Sequence, residues 1–350
     1  MPSDKDSSRE RLARLLGFLR DHRRAVIAAQ NRPDPDGMAS AAALKRLLRE
    51  KAGLDVVIAA SGKSGRAENL ATLQFLGETL EDLECLDLAA FDLRALVDTQ
   101  PGFANNSWPA HLPVHLVIDH HPRAPGIPQD SFADIRTDYG AASTILTEYL
   151  RAAHVEPGPQ LATALLYGIK TDTLDLSRGA SPADTAAFLY LYPLANQRLL
   201  AKIERERLPR DYFVTLARAL HDCRLYDHVA LCAVGPVASP DALADLADFF
   251  LRIEGIRWVL CHGLCEGQLY LSVRTTVRQG NAGSLAAVVL EGIGRGGGHD
   301  MLAGGQAPVA GLDPKALDAL GHEIELRFLR ALEVPKRTPE HLVSGACPGV

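Results

Sequence analysis

Residues 114–121, with the sequence VHLVIDHH, give the strongest single indication of the fold of this chain. The run Val114–Ile118, which is apolar except for His115, has the length of a strand and is followed by Asp119-His120-His121. A short apolar run that stops at polar residues is typical of a buried strand in a parallel sheet. An acid and two imidazoles contribute little to packing, so we interpret Asp119, His120 and His121 as candidate site residues.

Three more acidic clusters follow apolar segments in the same way. They are Pro33-Asp34-Pro35-Asp36 after residues 26–29, Asp98 after residues 93–97, and Thr171-Asp172-Thr173 after residues 160–169. In an open α/β sheet the carboxyl ends of the strands meet at one crevice, where ligands bind. Carboxylates and imidazole without cysteine suit Mn²⁺ or Mg²⁺. The four clusters therefore predict a metal centre bridged by carboxylates.

Each cluster also has a purely structural interpretation. Pro-Asp turns are common in loops, so Asp34 and Asp36 alone indicate little. An Asp that follows a strand often caps the next helix, which applies to Asp98, and Asp172 is open to a similar interpretation. The four clusters in this order favour a metal centre over four separate structural roles.

Strands and helices alternate along the first part of the chain, which indicates parallel βαβ units. The predicted strands lie at residues 26–29, 55–60, 93–97 and 114–118, and the predicted helices at 9–22, 37–51, 141–153, 160–169 and 182–194. A second pattern follows, with predicted strands at 229–234, 257–262 and 268–273 and predicted helices at 241–251, 284–292 and 313–332. The expected fold class is α/β, with an N-terminal parallel-sheet domain and a smaller C-terminal α/β domain.

The length of 350 residues favours two domains over one. We expect a metal-binding domain at residues 9–195, a helical connector at 196–225, a second domain at 226–334 and a loose tail at 335–350. A long, charged helical stretch at 197–221 forms most of the expected connector.

Composition narrows the range of partners. The net charge of −6 argues against non-specific binding of long nucleic acid by a basic face. No apolar stretch reaches the roughly 20 residues of a membrane span. The six cysteines include no Cys-x-x-Cys pair, so we interpret them as free thiols, and a reducing cytoplasm is the expected compartment.

The four clusters resemble the ordered motif set of the DHH phosphoesterase superfamily. The resemblance rests on Pro33-Asp34-Pro35-Asp36 with Ser40, then Asp98, then Asp119-His120-His121, then Asp172. Further along, Gly296-Gly297-Gly298-His299, preceded by Ser272-Val273-Arg274, resembles the C-terminal DHH-associated domain of the nanoRNase and pAp phosphatase branch, which is related to RecJ.

The resemblance implies two divalent ions, with Mn²⁺ preferred and Mg²⁺ as the alternative. Asp34 and Asp98 would hold one ion. The other would be held by Asp36, Asp98, His120 and Asp172, so that Asp98 bridges the two. Asp98, His120 and His121 would act in catalysis, and His121 would face the substrate phosphate.

One position departs from the family pattern. The family commonly has a histidine four residues before the first Asp, and this chain has Gln30 there. An amide oxygen is a poorer ligand for Mn²⁺ than an imidazole, so the first ion is expected to bind more weakly. Gln30, Ser40, Asp119 and Arg123 complete the candidate residues around the metals.

The glycine run is interpreted as a loop after a helix, where backbone N–H groups approach an anion. The resemblance implies that Arg274, Gly296, Gly297, Gly298 and His299 bind the substrate. A flexible loop without a binding role is the alternative. Asn281 and Ser284 are further candidates in this region.

The function expected from the resemblance is Mn²⁺-dependent hydrolysis of phosphate esters in short oligoribonucleotides or 3′,5′-bisphosphonucleotides. Cyclic-dinucleotide phosphodiesterase and exopolyphosphatase activities are alternatives. An alternative of another class is a nucleotide-binding regulator with a weakened metal site, which Gln30 motivates. The expected partner is a short nucleotide, without long duplex nucleic acid or a membrane, and a homodimer is the assembly considered.

Overall fold

The computed structural model of the chain describes residues 7–62, 72, 75–103, 105–204, 208–298, 301–335 and 338–343. The chain divides into two compact units, Met1–Glu206 and Arg207–Val350, and the division falls inside the expected connector. His299 lies outside the described residues. No helix in the described ranges is both long and apolar enough to cross a lipid bilayer.

A six-stranded sheet forms the centre of the first unit, and all of its strand pairs are parallel. Its strands are β1 (Arg24–Ala28), β2 (Asp55–Ala60), β3 (Leu80–Asp82), β4 (Leu93–Val97), β5 (Leu116–Asp119) and β6 (Phe132–Ile135). Their order is β3-β2-β1-β4-β5-β6. The order reverses between β1 and β4, and a sheet with such a reversal opens a crevice at the carboxyl ends of those two strands. The predicted clusters after β1 and β4 therefore flank this crevice.

Helices cover one face of this sheet. They are α1 (Ser8–Phe18), α2 (Pro35–Ala52), α3 (Ala142–Ala152), α4 (Gly158–Asp172), α5 (Pro182–Leu191) and α6 (Gln197–Glu204). Ala25 and Ile27 of β1 pack in the core on this face, whereas Val26 and Ala28 belong to a second core on the opposite face, which includes Trp108. Because both faces are covered, the strands are apolar throughout, as the sequence pattern predicts.

The second unit contains a seven-stranded mixed sheet in the order β11-β12-β10-β9-β8-β7-β13. Its strands are β7 (Arg224–Tyr226), β8 (Val229–Pro236), β9 (Trp258–Cys265), β10 (Gln268–Thr275), β11 (Arg295–Gly298), β12 (Leu302–Pro308) and β13 (Glu340–His341). Its helices are α7 (Arg210–Asp222), α8 (Asp241–Phe250), α9 (Ala282–Val289) and α10 (Pro314–Ala331). Separate buried clusters lie on the two faces of the sheet. The predicted α/β class with a smaller second domain is confirmed.

The glycine run is not the loop that the sequence suggests, because Gly296, Gly297 and Gly298 belong to the edge strand β11 and pair with β12. A Cβ at Gly296 would lie 2.4 Å from the Ala286 carbonyl oxygen of α9. A Cβ at Gly298 would lie 2.5 Å from the Leu302 carbonyl oxygen. Close packing of the strand therefore explains two of the three glycines, whereas Gly297 has open space around it.

Two other expectations need correction. The single helical stretch predicted at 197–221 is two helices in the described residues, since α6 places Leu200 and Ile203 in the core of the first unit and α7 places Ala219 in the second. The tail predicted to be loose contains β13, which pairs with β7. A two-residue strand leaves no hydropathy pattern, so the sequence did not indicate it.

The second unit contains a buried ionic cluster on which its stability should depend. Glu325 of α10 accepts hydrogen bonds from Arg224 and from His262 Nε2, the latter at 2.9 Å. Burial alone would raise the pKa of Glu325, but the hydrogen bond and charge of His262, followed by Arg224, lower it. A lowered folded pKa means that the carboxylate stabilises the fold above its unfolded pKa, and that this contribution is lost as the pH falls through the folded pKa.

We expect Glu325→Gln to lower the free energy of unfolding by roughly 1–3 kcal/mol at neutral pH, because Arg224 and His262 lose the carboxylate that they contact. The difference should shrink as the pH falls towards about 4. Urea unfolding read by Trp258 fluorescence in a Trp108→Phe background measures it, since Trp258 packs on Phe328 of the same helix. The control is Glu323→Gln, a half-exposed neighbour paired with Arg327, which should change stability little. Equal effects of the two substitutions would contradict the role of the buried cluster.

Candidate metal centre

Asp36 lies in the first turn of α2 and points its carboxylate at the start of α3. Its Oδ2 accepts a hydrogen bond from the Ala142 amide at 2.7 Å, and its Oδ1 accepts one from the Ser143 amide at 2.8 Å. The unpaired N–H groups at a helix N-terminus attract a carboxylate, so α3 fixes Asp36 in place. Ser40 is buried beside it, with its hydroxyl 3.5 Å from Oδ1.

Gly168 of α4 allows this close approach of three helices. A Cβ at this position would lie 2.6 Å from Ser143 Oγ and 3.0 Å from both Cα and Oδ1 of Asp36. No real side chain tolerates the shorter of these distances without movement of its neighbour. The absence of a side chain at Gly168 therefore places Asp36 against Ser143.

Asp98 follows β4 in a left-handed backbone conformation with φ of 57°. This conformation is uncommon for residues other than glycine and is often found at functional sites. The side chain is 2% exposed, and its Oδ2 accepts a hydrogen bond from Gln30 Nε2 at 2.9 Å. Its Oδ1 is buried and accepts no hydrogen bond among the described residues. A desolvated carboxylate oxygen of this kind is suited to a cation.

His120 presents one ring nitrogen to the carboxylates. Its Nδ1 lies 3.3 Å from the Tyr139 carbonyl oxygen, which can only accept, so Nδ1 carries the proton. Its Nε2 lies 3.3 Å from Asp98 Oδ1 and 3.5 Å from Asp172 Oδ2. Metal-binding histidines in proteins are typically oriented in this way, with the second nitrogen on a carbonyl.

Asp119 supports the two histidines. Its Oδ1 accepts hydrogen bonds from the His120 amide at 2.7 Å and from His121 Nδ1 at 2.7 Å. Its Oδ2 accepts one from Gln100 Nε2 at 2.6 Å. Burial alone would raise the pKa of Asp119, but the hydrogen bond and charge of His121 lower it. Asp119 is therefore held as an anion that orients His121.

Two groups of side chains could each hold an ion. One ligand atom from each member of a group lies within 4.8 Å of the others, and the groups are Asp36, Asp98, His120 and Asp172, and Asp98, Asp119, His120 and His121. Asp98 and His120 belong to both groups. Asp172, the last residue of α4, completes the first group.

Asp34 is in neither group. Its Oδ1 accepts a hydrogen bond from the Gly37 amide at 3.0 Å, so it serves as the N-cap of α2. Its charge nevertheless acts on the site, because it contributes to the raised pKa values of Asp36, Asp98 and Asp172. Asp34 is therefore close enough for its charge to act on the centre, and its predicted role as a metal ligand stays a prediction.

The candidate centre is crowded with acidic side chains. Burial, followed by the charges of Asp36 and Asp34, raises the pKa of Asp98 well above its usual value. Burial and the same neighbours raise that of Asp172. Burial alone would lower the pKa of His120, but Asp172 and Asp36 outweigh it and raise the value. A divalent cation would neutralise this repulsion, so the residues present fit a metal site.

The remaining candidates belong to neither ligand group or lie outside the described residues. Arg123 is exposed. In the second unit Arg274 donates from Nε to Asp248 at 2.8 Å and from Nη1 to Ser272 at 2.9 Å. Asn281 precedes α9 with φ of 51° and makes no capping hydrogen bond with its side chain.

The sequence did not predict several groups that hold Asp119 and His120 in place. Gln100 bonds Asp119, and the Tyr139 carbonyl orients His120. The segment that carries this carbonyl is fixed in turn, because the Arg136 amide donates to the Asp119 carbonyl oxygen at 2.9 Å and the Arg136 side chain donates to the Tyr139 hydroxyl at 3.2 Å. Backbone groups have no residue signature, so the sequence gives no sign of the contacts that the Tyr139 carbonyl and the Arg136 amide make.

Comparison with known proteins agrees with the geometry. Residues 24–169 match the DHH family, N-terminal domain, and residues 227–326 match the DHHA1 domain. The chain belongs to the DHH superfamily and has a C-terminal DHHA1 domain. The members of this superfamily are metal-dependent phosphoesterases.

Individual relatives support the same fold. An uncharacterized protein of Methanocaldococcus jannaschii is 34% identical over 316 residues, which is 88% of this chain, and the chain spans 64% of that relative's length. The structure of an exopolyphosphatase-related protein from Bacteroides fragilis aligns with a TM-score of 0.71 at 14% identity, over 92% of this chain and 97% of the other. The structure of RecJ in complex with Mn²⁺ from Thermus thermophilus aligns with a TM-score of 0.51 at 17% identity, over 92% of this chain and 55% of the RecJ chain.

Proposed function

We propose that the chain is a divalent-metal-dependent phosphoesterase that hydrolyses short phosphorylated nucleotides. The observation that carries this proposal is the convergence of Asp36, Asp98, His120 and Asp172, whose ligand atoms lie within 4.8 Å of one another. Four elements that are distant in the sequence supply these side chains at the crevice of the first sheet. A purely structural cluster would not need three carboxylates with raised pKa values, of which Asp36 and Asp98 are buried and Asp172 is half-buried.

The proposed ions are two Mn²⁺, with Mg²⁺ as the alternative. Bound by these carboxylates and His120, they would activate water and neutralise charge on the phosphoryl oxygens. The protein fixes its own groups beforehand: α3 holds Asp36, and the Tyr139 carbonyl fixes the His120 tautomer. Such rigid placement avoids reorganisation during the reaction.

His121 has a separate role in the proposal. Asp119 accepts a hydrogen bond from His121 Nδ1 at 2.7 Å, which fixes the orientation of the ring. A proton on the opposite nitrogen, Nε2, would be donated in a hydrogen bond to a phosphoryl oxygen and would offset its negative charge. Substrates with a phosphate ester are therefore favoured over neutral ones.

The substrates proposed are short oligoribonucleotides and 3′,5′-bisphosphonucleotides. The presence of a DHHA1 domain beside the DHH domain supports this choice. We further propose that Arg274 and the β11 glycines bind the nucleotide. Because Arg274 is already paired with Asp248, an anionic substrate would have to compete with that carboxylate.

The proposed compartment is the cytoplasm. Five cysteines in the described residues are free thiols, and four of them are buried. Free thiols are the usual state of cysteine in a reducing compartment. Long duplex nucleic acid is not among the proposed partners, since the net charge is −6.

The test is release of nucleotide or phosphate from a substrate panel in Mn²⁺. The panel contains dinucleotides to pentanucleotides, a 3′,5′-bisphosphonucleotide, a cyclic dinucleotide and polyphosphate. We expect hydrolysis of the first two classes and its loss in Asp172→Asn. The matched control is Asp175→Asn, whose exposed carboxylate pairs with Lys170, and this variant should keep full activity.

Two results would overturn the proposal. Absence of hydrolysis on the whole panel, with metal shown to bind, would favour the regulator instead. If only the cyclic dinucleotide or polyphosphate is hydrolysed, the protein is still a phosphohydrolase, but the proposed nucleotide substrates are wrong.

A further inference from the structure

We infer that Gln30 makes the two halves of the metal centre unequal, so that they fill at well-separated metal concentrations. The half formed by Asp36, His120 and Asp172 with Asp98 binds the first ion. The half on the Asp34 side, next to Gln30, binds a second ion about 10- to 100-fold more weakly, by analogy with the loss of a supporting group at a metal site. The inference rests on the proposed function in one respect only, which is that the centre binds two divalent ions.

The first observation is that Gln30 already occupies one oxygen of the shared ligand. Its Nε2 donates to Asp98 Oδ2 at 2.9 Å, and the Gln30 side chain is 8% exposed. The donating N–H puts a partial positive charge where a cation would bind. An ion that uses Oδ2 must displace this hydrogen bond or share the oxygen with it. No comparable donor lies on Oδ1 among the described residues, and this oxygen faces His120 Nε2 at 3.3 Å.

The second observation is the other end of the same amide. Gln30 Oε1 is buried and has no hydrogen-bond partner among the described residues. A buried acceptor without a partner costs about 1–3 kcal/mol, so in native proteins such an atom is usually satisfied by ordered water or by an ion. The oxygen is a neutral, hard donor of the kind that Mn²⁺ accepts.

The position of this oxygen is set by Gly37. A Cβ at Gly37 would lie 2.2 Å from Gln30 Oε1 and 2.9 Å from its Cδ, so the amide packs directly on the first turn of α2. The Gly37 amide in turn donates to Asp34 Oδ1 at 3.0 Å. Gln30 therefore reaches from the Asp34 cap to Asp98, and Gly37 makes room for it.

The ligands of the two halves of the centre differ in their affinity for Mn²⁺. The first half has three carboxylates and an imidazole whose tautomer is fixed by the Tyr139 carbonyl. The Asp34 side has the shared Asp98, the capping Asp34 and a neutral amide oxygen. Imidazole and carboxylate bind Mn²⁺ more strongly than an amide does. The second ion is thus the weaker one, and Gln30 is the residue that sets its affinity.

The experiment is Mn²⁺ titration of the full-length chain by calorimetry, with electron paramagnetic resonance recorded in parallel. Wild-type protein should show two dissociation constants separated about 10- to 100-fold. At one equivalent it should give the spectrum of an isolated Mn²⁺, and an exchange-coupled pair should appear only in excess metal. Gln30→Glu, which keeps the shape and adds a charge, and Gln30→His, which adds an imidazole, should each tighten the weaker ion at least about tenfold.

The matched control is Gln197→Glu, since Gln197 bonds the Tyr192 carbonyl on the surface and should leave both constants unchanged. Two equal affinities in the wild type, or an unchanged weaker constant in both Gln30 variants, would overturn the inference. Circular dichroism checks that each variant folds. The metal titration contains no substrate, so its outcome is independent of the substrate panel. Two separated Mn²⁺ affinities without hydrolysis of any substrate would contradict the proposed function alone. Hydrolysis with two equal Mn²⁺ affinities would contradict this inference alone.

Discussion

Replacement of Asp98 by Asn should remove metal binding and at the same time stabilise the metal-free protein. The carboxylate belongs to both candidate ligand groups, so hydrolysis should fall at least about 1,000-fold, since bound metal supplies several kcal/mol of charge stabilisation. Asn is the appropriate substitution because it tolerates the left-handed backbone at φ of 57°, whereas Ala would add strain.

The gain in stability follows from the direction of the pKa shift. Burial and the charges of Asp36 and Asp34 raise the pKa of Asp98 well above its unfolded value. A raised folded pKa contributes stability below the unfolded pKa, and this contribution is lost as the pH rises through the folded pKa. At neutral pH the charged carboxylate therefore destabilises the metal-free fold. We expect Asp98→Asn to increase the free energy of unfolding of the metal-free protein by roughly 1–3 kcal/mol, the size typical of a buried polar group that lacks a partner.

Urea unfolding in a chelator, together with Mn²⁺ calorimetry, checks both effects. Asp92→Asn provides a control of opposite sign. Slight burial would raise the pKa of Asp92, but hydrogen bonds from the Arg24 and Arg23 amides lower it, so its loss should destabilise the fold. A variant at position 98 that keeps wild-type turnover, or that is less stable than the wild type without metal, would contradict the assignment.

A second large effect is expected from one methyl group at Gly168. In Gly168→Ala the new Cβ would lie 2.6 Å from Ser143 Oγ and 3.0 Å from Asp36 Oδ1. The helices must separate to admit it, which should lower stability by about 1–3 kcal/mol. Movement of Asp36 should weaken metal binding about 10- to 100-fold, although position 168 offers no ligand atom.

The matched control for this prediction is Gly17→Ala in α1. A Cβ at Gly17 has no atom within 4 Å, so the substitution adds helix propensity without a contact. It should stabilise the protein by about 0.5–1 kcal/mol and leave the metal affinity unchanged. If Gly168→Ala behaves like this control, then α4 can move away from Asp36 at no cost, and the packing argument is wrong.

The sequence predicted the parts of the fold and centre that leave a chemical signature in the chain. Apolar runs with acidic ends marked β1, β4 and β5, and the polar residues after them do lie together. The sequence also predicted that Asp119 lies at the site, but only the structure shows that it orients His121. The Asp-His-His order is informative because such residues gain nothing from packing.

Other parts depend on contacts that no local pattern records. The run Gly296–Gly298 has the composition of a loop, and only the close approach of α9 and β12 makes it a strand. The short strands β3 and β6 at the edges of the first sheet have too few residues to show a period. The amides of Ala142 and Ser143 hold Asp36 through backbone atoms that every residue has.

The hydrogen bond from Gln30 to Asp98 also has an evolutionary consequence. Glutamine and histidine codons differ only in their third base, so a single nucleotide substitution exchanges the amide for an imidazole. The backbone and the Gly37 space that accept the side chain are already present. A lineage can therefore retune how much metal its enzyme demands in one mutational step, without altering any carboxylate of the centre.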